Sequence, residues 1–397
     1  MKRQQDIFFR KPTTNPYRIF GLLVLIFGGI WLIRQMETGK ITRPFTPTPT
    51  PTRVAQSYAL EAEAQFAAGK LDAAITAYQE ATRVDPDNAE VWAKLARIQT
   101  YSSALLTTDE QQRERLQEAL ASIDRAAEIA PDNSEVSAIR AFVLDWNANS
   151  ILFGTDQAAE YLLEAEQEAV RALQQDNQNT LALAYYAEIL VDEQKWTQAE
   201  QYIQQAVEQD DTLMDVHRVY AYVLESLGQY NQAIQEYEKA LEITPNLTFL
   251  YLRAGANYRR LAFGSQNDAT RNQLYESSLE YFAKAARLNE QLGIEDPIPY
   301  LSISKTYSQQ GEYFIAARNV QRALEIDPAN ADIYGQLGIV FFKSRNFEGA
   351  IPALKCAIRG CTAEESCDGR GGCGPNDEPA EVVGLPLSGN TVVYYYT

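Results

Sequence analysis

The chain has few of the residues from which most active sites are built. Among its 397 residues there is one histidine, His217, and the four cysteines all lie in the last 42 residues. No glycine cluster is followed by the helix and lysine of a phosphate-binding loop. His217 falls at a helix-packing position, which favours a structural role over a catalytic one. The sequence therefore predicts a protein that is not an enzyme and has no cofactor.

Positive charge is also scarce beyond the N-terminus. Residues 1–53 contain nine Lys or Arg and two acids, so the remaining residues carry a net charge of −25 against a total of −18. Binding to nucleic-acid phosphates needs a basic surface, which these residues do not supply. We therefore expect protein or peptide partners and no nucleic acid.

One long apolar run stands out near the N-terminus. Residues 19–33 read IFGLLVLIFGGIWLI and are flanked by Arg18 and Arg34. With aromatic and snorkelling arginine residues at its ends, such a run reaches the lower limit for spanning a bilayer. The following residues show no small-x-small cleavage site, so an uncleaved transmembrane helix at 19–34 is favoured over a cleaved signal peptide.

The segments on either side of this run suggest an orientation. A basic segment, residues 1–18, precedes it, and a Thr/Pro-rich linker, residues 35–54 with TPTPTPT at Thr46–Thr52, follows it. Lysine and arginine are nearly balanced across the run, so the positive-inside rule decides little. The stiff linker and the cysteines confined to the tail are commoner outside the cytoplasm. We expect a single-pass protein with a cytoplasmic N-terminus and the rest of the chain extracytoplasmic.

A helical-hairpin pattern recurs eight times after the linker. Alanines mark the second helix of each copy, at Ala81, Ala126, Ala172, Ala206, Ala240, Ala285, Ala323 and Ala357, and a small residue precedes each by seven positions. Four of the copies then have a proline, as in Ala240 with Pro245. Small residues at this spacing let two helix backbones approach closely. The copy from Met214 to Leu247 closely resembles the tetratricopeptide repeat (TPR).

This resemblance implies an all-α fold: a right-handed superhelical solenoid of about eight TPR hairpins, after one transmembrane helix and before an irregular cysteine-containing tail. The solenoid is expected at residues 55–360, with repeats starting near 55, 89, 134, 180, 214, 248, 297 and 331. Repeats 2, 3 and 6 carry 11 or 12 extra residues between their helices. These inserts remain helical in composition, so longer hairpins are predicted there, with about five or six extra residues in each helix.

In this family the first helix of each repeat lines a concave groove. The resemblance places there Arg97, Tyr185, Glu188, Arg218, Tyr222, Arg259 and Lys305. A pocket with this mixture of aromatic and cationic side chains suits an extended peptide bearing aromatic or acidic residues. Any one of these positions could also be ordinary solvated surface.

The tail, residues 361–397, contains Cys361, Cys367 and Cys373, with Cys356 in the last helix of the solenoid. Their spacing fits zinc fingers and ribbons poorly, so disulfides are favoured and no metal site is predicted. Three pairings are open. The sequence ends in TVVYYYT, an apolar and β-prone run. We expect either a short terminal strand that packs on the last repeat or a chain cut short of its natural end.

These features favour a membrane-tethered, non-catalytic scaffold that binds partners in its groove. One alternative is a structural spacer that associates with itself through the transmembrane helix or the terminal strand. A third hypothesis makes the cysteine tail a metal or redox module. The sequence leaves the partner and the oligomeric state open.

Overall fold

A computed structural model of the protein describes residues 15–37, 53–374, 379–386 and 389–397. The chain divides into two compact units, Met1–Arg53 and Val54–Thr397. Most of the basic segment expected at 1–18 and most of the linker expected at 35–54 lie outside the described residues.

The first unit contains one described helix, α1, at Pro16–Glu37. Its Pro16–Met36 stretch has a mean hydropathy of 1.9, and none of the residues in its apolar window is buried within the structure. By length and composition, α1 could cross a membrane.

The second unit contains 19 helices among the described residues and no named strand. Sixteen of them form eight antiparallel hairpins, each made of a first and a second helix that pack together. Their bounds are α2 Ala55–Ala67 with α3 Leu71–Val84, α4 Ala89–Ser103 with α5 Asp109–Ile129, α6 Ser134–Asn147 with α8 Thr155–Gln175, α9 Thr180–Asp192 with α10 Trp196–Gln209, α11 Met214–Ser226 with α12 Tyr230–Ile243, α13 Thr248–Gly264 with α14 Asp268–Leu292, α15 Ile298–Gln310 with α16 Tyr313–Ile326, and α17 Ala331–Lys343 with α18 Phe347–Arg359. A short helix, α7, at Ser150–Phe153 lies between α6 and α8. Successive hairpins stack on one another, as a solenoid requires.

Local sequence sets where many of these helices begin. Asparagine side chains accept hydrogen bonds from the free backbone N–H groups at the starts of α4, α6, α9 and α17, at Asn88, Asn133, Asn179 and Asn330. An N-cap of this kind satisfies donors that have no partner within the helix. The connections between repeats therefore stay short, which keeps neighbouring hairpins in contact.

The recurring small residues form the seams between helices. All eight of the marked alanines, from Ala81 to Ala357, have no exposed surface. The residues seven positions earlier are buried as well, including Ser278, whose hydroxyl donates to the carbonyl of Gly255 at 2.8 Å. The predicted all-α stack of helical hairpins is thus confirmed, and its core is built from the positions that the repeat pattern marks.

The inserts in repeats 2, 3 and 6 lengthen mainly the second helix. Helices α5 and α8 have 21 residues and α14 has 25, whereas the second helices of the other repeats have 13 or 14. Their first helices have 15, 14 and 17 residues against 13 elsewhere. The expected equal division of the extra residues between the two helices was wrong.

The tail packs against the last hairpin. Disulfides join Cys356 to Cys361 and Cys367 to Cys373. Helix α19 at Ala363–Gly369 follows, and Cys361 forms an isolated antiparallel bridge with Val382. The expected terminal strand is wrong, because Gly389–Tyr396 forms a helix, α20, that packs on α17 and α18. Packing of Tyr394 on the last repeat thus overrides the β propensity of this run.

Candidate partner-binding site

Six polar side chains from three first helices, α4, α9 and α11, meet on the inner face of the hairpin stack. We call them the inner cluster: Arg97, Tyr101, Tyr185, Glu188, Asp215 and Arg218. The Asp215 carboxylate lies at its centre and accepts hydrogen bonds from Arg97, from Tyr101 and, at 2.7 Å, from Tyr185. Arg218 donates two hydrogen bonds to Glu188, at 2.7 and 2.5 Å, and one to the Tyr101 hydroxyl at 3.1 Å. The cluster therefore joins residues 118 positions apart in the chain.

Burial makes these contacts strong and obligatory. Asp215 is 2% exposed, and the Glu188 and Arg218 side chains are each 7% exposed. Burial alone would raise the pKa of Asp215, but the adjacent Arg97, its hydrogen bonds and Arg218 lower that pKa to about 2. The position of Asp215 in the first turn of α11 also favours a negative charge. The carboxylate is therefore ionised and paired throughout the neutral range.

Aromatic rings surround the inner cluster. Tyr101 stacks on Phe249 with centroids 5.5 Å apart, and Phe142 stacks on Tyr185 at 4.5 Å. The Arg218 guanidinium lies 5.4 Å from the centroid of Tyr101. These rings fill the space between the first helices, so side chains occupy the inner face at this level.

The seven residues expected in the groove separate into three groups. Arg97, Tyr185, Glu188 and Arg218 come together in the inner cluster and are largely withdrawn from solvent. Tyr222 is half-buried and lies beside the cluster. Arg259 and Lys305 lie elsewhere.

Arg259 is tied to its own surroundings. It donates to the Ser302 carbonyl at 3.2 Å and packs over the ring of Phe282. Burial lowers its pKa to about 10. Lys305 is exposed on α15. Neither residue takes part in the inner cluster.

A pocket opens at the ends of the first helices, next to the inner cluster. Its volume is about 790 Å³, and its lining includes Asp145, Trp146, Ile151, Asp192, Tyr222 and Arg253. Glu188 and Arg218 of the inner cluster also face it. Ile151, on the short helix α7 in the insert of repeat 3, is 81% exposed and lies at its rim. The insert therefore supplies a wall that a repeat of standard length would lack.

Two carboxyl groups meet in this pocket. The side chains of Asp145 and Asp192 interact directly, and the Tyr222 hydroxyl donates to Asp192 at 2.5 Å. Burial raises the pKa of Asp145 well above its ordinary value, and the nearby negative charges of Asp192 and Glu188 raise it further. Burial is also the main cause that raises the pKa of Asp192, to about 6. Sequence reasoning missed both acids, as well as Tyr101 and Asp215, because their proximity depends on how the repeats curve.

His217 is buried, and both of its ring nitrogens have hydrogen-bond partners. Its Nδ1 lies 2.6 Å from a carboxylate oxygen of Glu236, and its Nε2 lies 2.7 Å from the Asp211 carbonyl. The residue is 4% exposed, and its side chain links α11 to α12 and to the loop that precedes α11. Within the described ranges, no group of three or more His, Cys, Asp or Glu side chains is arranged to hold a metal ion.

Family models for tetratricopeptide repeats match three parts of the chain, at residues 62–100, 215–247 and 301–363. These matches fall on hairpins 1 and 2, 5, and 7 and 8. The chain contains tetratricopeptide repeats. No curated protein matches it.

Solved structures extend the likeness of this TPR protein to most of its length. Human IFIT1, in a dimer with PPP-AAAA, is 18% identical with a TM-score of 0.53, and the match covers 77% of each chain. A chain of the APC/C hetero-tetramer Cut9–Hcn1 is 13% identical, also with a TM-score of 0.53, over 79% of this chain and 52% of that one. At such identities the likeness concerns the fold alone. TPR arrays serve as scaffolds for protein interactions through extended concave surfaces.

Proposed function

We propose that this protein is a membrane-tethered TPR scaffold that binds protein partners and does not catalyse a reaction. The observation that carries the proposal is the pocket of about 790 Å³ at the edge of the inner cluster. It combines an exposed apolar rim with charged and aromatic walls, as binding sites for protein segments do.

Helix α1 supplies the proposed tether. Its apolar stretch meets the length requirement for a span, and arginines flank the run at both ends. We propose a cytoplasmic N-terminus and an extracytoplasmic solenoid. The two disulfides of the tail support this orientation, since disulfides persist in oxidising compartments.

The orientation can be tested with a membrane-impermeant thiol reagent on intact cells or sealed vesicles. We expect Cys367 and Cys373 to react only after reduction by an impermeant reductant. Labelling that occurs only in permeabilised membranes would show that the tail lies in the cytoplasm, which is the opposite orientation.

Of the seven residues expected in the groove, Glu188, Arg218 and Tyr222 line the pocket. We propose that the partner contacts the pocket at these three and at Ile151. Arg97 and Tyr185 then act indirectly, because they hold the inner cluster in place. Arg259 and Lys305 lie outside the proposed contact.

Crosslinking of the full-length protein in its own membrane tests this proposal. Ile151→Asp places a charge on the exposed rim, and we expect it to reduce recovery of crosslinked partners several-fold. The matched control is Phe314→Asp, which changes an apolar side chain that is 85% exposed on α16 and does not line the pocket. Equal recovery with both variants would contradict partner binding at the pocket.

We propose no nucleic-acid partner. The IFIT1 structure contains PPP-AAAA, but the two arginines of the inner cluster, Arg97 and Arg218, are paired with Asp215 and Glu188. The strong negative charge outside residues 1–53 opposes phosphate binding as well.

The two other hypotheses have less support. Self-association by strand pairing loses its basis because the terminal run is helical, which leaves α1 as the element through which copies could associate. A metal module in the tail would need thiolates, yet all four cysteines are bonded in pairs.

A further inference from the structure

The pocket contains a buried acid without a counter-ion. Asp145 is 5% exposed, lines the pocket near the end of α6, and its Oδ1 has no hydrogen-bond partner within the described part of the chain. A buried carboxyl group that is neither paired nor fully hydrogen-bonded costs free energy. Such a group needs an explanation in terms of what it binds.

The nearby arginines do not neutralise it. Arg218 is paired with Glu188, and Arg253 is paired with Glu225 at 3.1 Å. No ion pair to Asp145 or Asp192 occurs among the residues that the structure describes. Among the residues that line the pocket, the three acids Asp145, Glu188 and Asp192 face two arginines, and neither arginine forms an ion pair with Asp145 or Asp192.

The walls beside these acids suit the stem of a long basic side chain. Trp146, Phe249 and Leu252 give the pocket apolar and aromatic surface beside the buried Asp145 and the exposed Asp192. Lysine and arginine bury their methylene stems against such surface while the charged end reaches a polar partner. The pocket is large enough for one such side chain and part of its backbone.

We propose that the pocket binds a lysine or arginine side chain of the protein partner, with Asp145 and Asp192 together receiving its positive charge. This inference rests on the proposed scaffold function and specifies the chemistry of the partner. It also reverses the expectation of an acidic ligand, because Arg97 and Arg218 are already paired with acids and Arg259 does not line the pocket.

The proposed binding displaces a proton. In the free protein burial favours protonation of Asp145, whereas a bound cation favours two ionised carboxylates. The charged or titratable groups facing the pair are Glu188 on α9, Arg218 and Tyr222 on α11, and Arg253 on α13. Since the pKa of Asp192 is about 6, affinity should rise from about pH 5 to pH 8 and binding should release a proton.

Calorimetric titration of the full-length protein in detergent tests the proposal. The probes are capped alanine pentapeptides whose central residue is lysine, arginine, norleucine or glutamate, with a free diamine as a fifth probe. We expect the lysine or arginine peptide to bind at least about tenfold more tightly than the norleucine peptide at pH 8, and the glutamate peptide to bind worst.

The variant Asp145→Asn with Asp192→Asn should abolish this preference. Asparagine resembles a protonated aspartic acid in shape, so the pair should fold like the acidic form of the native protein. The control is Asp296→Asn, since burial also raises the pKa of Asp296 to about 6 but this residue does not line the pocket. The control should retain the preference and its pH dependence.

Equal binding of the norleucine and lysine peptides would overturn the inference, as would an unchanged preference in the double variant. Binding of the diamine without binding of any peptide would show that the cation does not come from a protein. If Ile151→Asp still removes crosslinked partners, the scaffold proposal stands even when the basic-side-chain proposal fails. If both tests fail, the pocket is not the contact site.

Discussion

At the scale of single residues, Asp215 is the group on which the inner cluster depends. It accepts hydrogen bonds from three side chains on two other helices, and its ionised form is stabilised by Arg97 despite burial. Its pKa is lowered, so its contribution to stability is complete above the ordinary value near 3.8 and is lost as pH falls towards 2. Near neutral pH the ion pair between Asp215 and Arg97 is therefore fully formed.

Removing one member of this pair should therefore destabilise the solenoid. We expect Asp215→Leu to lower the stability of the repeats around it by about 3–5 kcal/mol, because Arg97 is left buried without a counter-ion. Combining it with Arg97→Met should recover more than half of the loss. Denaturant unfolding with hydrogen exchange measures both. The exposed pair Arg125–Glu128 is the control, and Glu128→Ala should have no measurable effect. A double variant no better than the single one would show that the pair is not coupled.

The sequence predicted the face on which these residues lie but not their burial. Arg97, Tyr185, Glu188 and Arg218 follow from the repeat register, which assigns each to the inner side of a first helix. Whether an inner side chain meets solvent depends on how closely helices three repeats apart approach one another. That distance follows from the summed rotations between repeats, which no single motif encodes.

At the scale of elements, helix geometry explains why the extra residues of the inserts lengthen the second helices. Helices α5 and α8 are each seven residues longer than a standard second helix of 14. Seven residues make about two turns, so a single helix can absorb them while its apolar stripe stays on the same face. Thr108, Gly154 and Asn267 precede the long helices and fix where they begin. The breaks were predictable from the turn residues, whereas the unequal division was not.

Helix α20 depends on a glycine in the last repeat. The ring of Tyr394 lies where a Cβ on Gly335 would be, and its hydroxyl donates to the Asp332 carboxylate at 2.6 Å. We expect Gly335→Ala to displace Tyr394 and expose α20, at a cost of about 1–3 kcal/mol from overpacking. Limited proteolysis at the C-terminus measures the release.

Gly264→Ala is the control for this change. Gly264 ends α13 and has open space around the position of a Cβ, so alanine should leave stability unchanged or raise it slightly. Protection of α20 that is equal in the two variants would show that Tyr394 does not hold the helix through Gly335.

At the scale of the whole molecule, the solenoid unit brings its first hairpin against the connection between hairpins 5 and 6. The Asn246 side chain donates to the Ala67 carbonyl at 2.9 Å, and the backbone of Asn246 passes close to Gly69. Tyr101 and Phe249 stack nearby. The first helices begin within one residue of the expected repeat starts, because local register fixes them. These distant contacts were not predictable, since they join residues 179 positions apart.

Substitution of Gly69 can test this long-range contact, because Gly228 has a similar backbone conformation and serves as a matched control. Both Gly69, with φ of 78°, and Gly228, with φ of 74°, lie in the turn between the helices of a repeat. A Cβ on Gly69 would overlap the Asn246 carbonyl oxygen, whereas one on Gly228 would meet nothing within 4 Å. Gly228→Ala should therefore cost only the left-handed backbone penalty, about 1–2 kcal/mol. Gly69→Ala should cost more and should also increase hydrogen exchange at residues 246–250, since the two segments must separate. Equal losses, with unchanged exchange at 246–250, would show that the contact between hairpin 1 and hairpins 5 and 6 does not stabilise the solenoid.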